Sequence, residues 1–105
     1  MSGVLARLQA TIAARKGADP ASSHTAAMLA KGPDKCAEKF GEEAVEAIIA
    51  AARRDPEALK AECADLLYHM IVMLAAQDLT LDDVLSVLEA REGTSGIAEK
   101  ASRPR

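Results

Sequence analysis

Residues 39–69, KFGEEAVEAIIAAARRDPEALKAECADLLYH, read as two helices joined by one sharp turn. The first begins near Asp34, ahead of the quoted stretch, and only Gly41 interrupts its helix-forming residues before about Arg54. Arg53 and Arg54 suit the negative end of its dipole. Asp55 is then placed as an N-cap and Pro56 as a first helical residue, which predicts another helix running to about Gln77. A link this short makes the two helices antiparallel neighbours.

The hairpin carries an unusual load of carboxylates. At about 100° per residue, Glu42, Glu43 and Glu46 share roughly one quadrant of the first helix, and Lys35 and Lys39 extend the stripe towards its N-terminus. Ala37, Phe40, Gly41, Ala44, Val45, Ile48 and Ala52 occupy the opposite side. On the second helix Glu62 and Asp65 are i, i+3 neighbours and His69 continues their face, among Leu59, Cys63, Leu66, Leu67, Met70, Ile71 and Leu74. Counted from the turn, Glu46 lies about nine residues before it and Glu62 about seven after it, so at ~1.5 Å per residue both sit near one height. Carboxylates converging there repel one another unless a cation neutralises them, and an all-oxygen set favours Mg²⁺ or Mn²⁺ over zinc. A solvated acidic face is the plainer reading of EExxE alone; the paired ExxD at matching height favours the metal site. His69 reads as a packed or supporting residue, since the Glu-x-x-His pairs of a di-iron bundle are absent.

Outward from the hairpin, VLARLQATIAARK (4–16) has a helical apolar repeat that Gly17 is placed to end. GADPASSHTAAMLAKGP (17–33) reads as an ordered loop holding His24 and a short helix capped by Thr25 and closed by Gly32. Thr80 with Asp83 forms a capping-box pattern for a last helix that Gly93 stops. Residues 94–105 read, on composition alone, as a frayed tail.

The composition fits one all-α domain over residues 1–105: half the residues are hydrophobic, yet there is one Tyr, one Phe and no Trp. Thirteen basic and 16 acidic residues give a net charge of −3, which makes no electrostatic case for nucleic acid as a partner. No apolar run approaches the ~20 residues of a membrane span and no signal-peptide pattern opens the chain, so the expected location is the cytoplasm. Cys36 and Cys63, 27 positions apart and without CxxC spacing, both read as small buried hydrophobes.

These residues resemble those of the phosphoribosyl-ATP pyrophosphohydrolases, a branch of the all-α MazG-like NTP pyrophosphohydrolases. The resemblance covers residues 8 to 103; EExxE with ExxD marks the wider superfamily, whereas DKxxxKxGEEAVE, ADLLYH and the terminal EKASR mark this branch. His24 departs from it, standing where the family usually shows tyrosine. The resemblance implies Mg²⁺-dependent hydrolysis of the α–β phosphoanhydride of N1-(5-phosphoribosyl)-ATP, the second step of histidine biosynthesis. It implies Glu42, Glu43, Glu46, Glu62 and Asp65 as catalytic metal-binding carboxylates, and Arg15, Lys16, Lys31, Lys35, Lys39, Lys100 and Arg103 as substrate contacts. It also turns the tail into a functional segment. Apolar surface wider than one helical pair can cover, together with the family's habit, leads us to expect a homodimer with a four-helix core. Two rivals stand beside this reading: a house-cleaning nucleoside triphosphate pyrophosphatase of the same fold, and a non-catalytic helical dimerisation module.

Overall fold

The computed structural model describes residues 2–93, which form five helices with no strand among them: α1 Gly3–Arg15, α2 His24–Ala30, α3 Pro33–Ala52, α4 Pro56–Ala75 and α5 Leu81–Ala90. The tail from 94 onward, with Lys100, Arg103 and EKASR, lies outside the described residues. α3 and α4 form the expected antiparallel hairpin. Asp55 caps α4 through the Ala58 amide at 3.1 Å and Pro56 stands in its first turn. Arg53 and Arg54 fall just beyond α3 rather than in its last turn. Arg54 takes the left-handed conformation, φ 55°, and the Asp55 amide reaches back to the Ala50 carbonyl, so arginine fills the place glycine usually holds in such a helix stop.

The shorter helices cover one end of the hairpin. Ile12 from α1, Met28 from α2, Cys36 from α3, Ile71 and Val72 from α4, and Leu81 from α5 make one buried cluster, flanked by Leu5, Leu8, Leu29, Tyr68 and Val84. Polar ties hold the arrangement in register. Gln9 donates to Asp82 at 3.1 Å and accepts from the Leu81 amide, while Lys16 donates to the Ala75 carbonyl at 2.7 Å and pairs with Asp78. On α5, Thr80 and Asp83 form the predicted capping box.

Three local expectations need correction. Ser23, not Thr25, caps α2, because its hydroxyl accepts from the Ala26 amide at 3.0 Å; Thr25 is inside the helix and its hydroxyl bonds that of Tyr68 on α4. His24 is the first residue of α2 rather than a loop residue, though exposed as expected. Cys36 is buried, with its Sγ 3.3 Å from the Met28 carbonyl, but Cys63 is exposed because its side of α4 faces away from the cluster.

Candidate active site

α3 decides the site by which side it turns inward. Its buried residues are Cys36, Glu43, Ala47 and Ala50, an inward stripe in which one glutamate sits among small side chains. The branched residues Val45, Ile48 and Ile49 are exposed, and Phe40 is half-buried. Alanines at 47 and 50 leave room for α4 to lie close, and Glu43 is thereby drawn into the seam at 8% exposure.

Across that seam Glu62 and Asp65 present carboxylate oxygens that lie, with one from Glu43, all within 4.8 Å of one another. One Glu62 oxygen, Oε2, is buried and has no hydrogen-bond partner among the described residues. A carboxylate oxygen shut from water without a donor is costly, and a cation is the partner an all-carboxylate set would take. The residues therefore fit a hard divalent ion: three oxygen donors, with Glu62 carrying a desolvated oxygen, and no thiolate or imidazole among the converging atoms.

The remaining acidic residues flank this centre. Glu42 is exposed and accepts from Lys39 at 3.4 Å. Glu46, also exposed, lines a groove of about 190 Å³ with Glu62, Ile49, Arg53 and Asp55, which agrees with the equal height read from the turn. Of five carboxylates expected together, Glu43, Glu62 and Asp65 converge, and Glu42 and Glu46 stand at the rim.

Lys39 links the acidic centre to a larger cleft. Its Nζ lies 3.4 Å from both Glu42 Oε2 and Glu43 Oε1, and these bonds, that to Glu42 first, raise its pKa so that it stays cationic. The cleft, about 530 Å³, is lined by Met28, Lys31, Lys35, Glu38, Lys39 and Glu42, so three lysines expected to meet substrate share one concavity. Lys35 pairs with Glu38 at 3.2 Å. Lys16 is engaged at the far end of α4 with Ala75 and Asp78, and Arg15 is exposed at the end of α1.

His69 closes the floor. It is 6% exposed, its Nε2 is 4.0 Å from Glu43 Oε1, and its ring meets Tyr68 edge-on with centroids 4.8 Å apart. Burial pushes its pKa below the ordinary imidazole value, against an opposing pull from Glu43. Sequence reasoning gave the packed histidine and the acidic cluster but missed that Glu43 alone of its trio is buried. The Ala47/Ala50 pair one and two turns on was the available signal.

The comparisons with known proteins agree with this geometry. Residues 5–92 match the family model described as phosphoribosyl-ATP pyrophosphohydrolase. A protein of Cereibacter sphaeroides named phosphoribosyl-ATP pyrophosphatase is 72% identical over 100 residues, covering 95% of this chain and 97% of its own. Proteins of the same name from Dinoroseobacter shibae and Ruegeria pomeroyi are 71% and 66% identical, each covering at least 95% of this chain and 97% of their own. A family model matched over residues 5–92 and relatives of such identity along nearly the whole chain leave one conclusion: the chain belongs to the phosphoribosyl-ATP pyrophosphohydrolase family.

Proposed function

We propose that this protein hydrolyses the α–β phosphoanhydride of N1-(5-phosphoribosyl)-ATP, giving phosphoribosyl-AMP and pyrophosphate in the second step of histidine biosynthesis. The observation that carries the reading is the convergence of Glu43, Glu62 and Asp65 within 4.8 Å, beside a cleft of lysines. Those three would hold Mg²⁺, with Glu42 and Glu46 at the rim completing the acidic set. When bound, the ion neutralises phosphate oxygens and makes phosphorus more electrophilic.

The chain's own groups do the rest. Lys31, Lys35 and Lys39 hold phosphate charge, and Lys39, already fixed between Glu42 and Glu43, keeps the polyphosphate in register with the acidic centre. Arg15, Lys16, Lys100 and Arg103 are proposed as further contacts, and residues 94–105 as a functional tail. In the reaction water oxygen joins phosphorus, the bridging oxygen leaves with pyrophosphate, and a carboxylate takes the proton.

No described helix is long and apolar enough to cross a membrane. We propose a homodimer, because Val45, Ile48, Ile49 and Leu67 are exposed on the hairpin and Ile49 borders the groove of Glu46 and Glu62, and a cytoplasmic location, as suits a biosynthetic enzyme of this family. Pyrophosphate release from phosphoribosyl-ATP, with Mg²⁺ and with EDTA, tests the function. Release that stops on chelation, and that exceeds release from a panel of dNTPs by orders of magnitude, is the expected result. Preference for the dNTPs would make the chain a house-cleaning pyrophosphatase, and no release from any would leave a structural module.

A further inference from the structure

His69 has no part in the scheme above, yet it is the most buried polar side chain at the site. It stands one turn beyond Asp65 on α4, and its Nε2 lies 4.0 Å from Glu43 Oε1, while Lys39 Nζ lies 3.4 Å from the same oxygen. Its Nδ1 is buried and has no hydrogen-bond partner among the described residues. That asymmetry assigns the tautomer. A neutral imidazole carries one proton, and placing it on Nε2 points the donor at a carboxylate, leaving on Nδ1 only an acceptor lone pair. The reverse would aim two lone-pair atoms at each other and bury an unused donor.

The ring is also held in place. Tyr68 packs edge-on against it, and the Tyr68 hydroxyl is bonded to Thr25 of α2, so α2 braces the ring's neighbour. At 4.0 Å the pair is longer than a hydrogen bond, so the fixed donor acts on the carboxylate electrostatically, favouring the orientation that turns Oε1 towards it. Carboxylates that bind ions depend on such outer partners, whose loss typically costs about 10–100-fold in metal affinity or activity.

We infer that His69 is a positioning residue, whose Nε2–H orients the Glu43 carboxylate towards Glu62 and Asp65 and thereby sets the affinity of the site for a divalent cation. This rests on the proposed metal-binding role of Glu43 but not on the identity of the substrate. Mn²⁺ binding to the metal-free full-length protein, followed by electron paramagnetic resonance of the free ion, tests it without any turnover. His69→Leu, close in volume, should weaken Mn²⁺ binding about tenfold or more and lower kcat with little change in KM. His69→Gln, which restores an N–H at the ε position, should recover most of the affinity. In a Glu43→Gln background the same His69→Leu change should have no further effect, since the group it orients is gone.

Wild-type Mn²⁺ affinity in His69→Leu, or equal losses in the single and Glu43→Gln backgrounds, would overturn the inference. Should His69→Leu fail to fold, the comparison of His69→Gln with His69→Asn decides. Asn presents its amide short of the ε position, so equal affinity in the two also overturns it. Failure of wild-type protein to hydrolyse phosphoribosyl-ATP would instead strike the proposed function while leaving the Mn²⁺ results to stand.

Discussion

Glu62 concentrates the conflict between stability and function in one side chain. Its Oε2 is desolvated without a partner among the described residues, and one of its oxygens lies within 4.8 Å of one from Glu43 and one from Asp65. Without a cation that arrangement destabilises the fold, and with one it is repaid. Glu62→Gln should therefore leave the metal-free Tm equal to or above that of the wild type and should remove the rise in Tm expected of the wild type with Mg²⁺. For the wild type, Mg²⁺ at about a hundred times its Kd should add about 2.7 kcal/mol. Thermal unfolding with and without Mg²⁺ checks both halves, and turnover should fall more than about 10²-fold in the same variant. The two cysteines make a second contrast at this scale. Burial raises the Cys36 thiol above its ordinary pKa of 9.0, so the unfolded chain loses this proton before the folded one does. The resulting stability is intact below pH 9.0 and declines as pH rises from there towards the folded-state value. Denaturant unfolding between pH 8 and pH 10 should show a shallower decline in Cys36→Ala than in the wild type, and iodoacetamide should modify Cys63 while sparing Cys36.

Among the elements, capping chemistry was the most legible part of the sequence. Asp55–Pro56 and Thr80–Asp83 act where they were read, because a cap is settled by a few consecutive residues and their own backbone. Thr25 misled because Ser23, two positions earlier, offers the same hydroxyl chemistry, and the contact of Thr25 with Tyr68 on a distant helix is invisible locally. The α3–α4 turn hides a strained position. Arg54 at φ 55° adopts a conformation that costs a residue with Cβ about 1–2 kcal/mol, part of which glycine would return to unfolded-state entropy. Arg54→Gly should raise stability by about 0.5–1 kcal/mol in denaturant unfolding at fixed protein concentration, with helix content unchanged. A drop instead would mean that the Arg54 guanidinium bond to the Ala51 carbonyl at 3.1 Å outweighs the strain.

At the scale of the whole molecule, the core gathers where α1, α2 and α5 meet the hairpin at Cys36, Ile71 and Val72, while the outer side of α3 is left bare. Ile48 and Val45 are 66% and 55% exposed there, apolar area that a second copy would remove from water. Ile48→Lys should shift the protein from dimer to monomer in sedimentation velocity at micromolar concentration and lower its Tm, and a wild-type monomer that turns over substrate would refute the dimer. The sequence by itself determined the helices, the caps of α4 and α5, the antiparallel hairpin and the level at which acids on α3 and α4 meet, since all follow from periodicity, turn residues and rise per residue. Only the tertiary structure decided how each helix is rotated about its axis. That rotation is set by close packing: small side chains at 47 and 50 admit α4, so Glu43 goes inside with Glu62 and His69, Glu42 and Glu46 remain at the rim, and Cys63 turns outward.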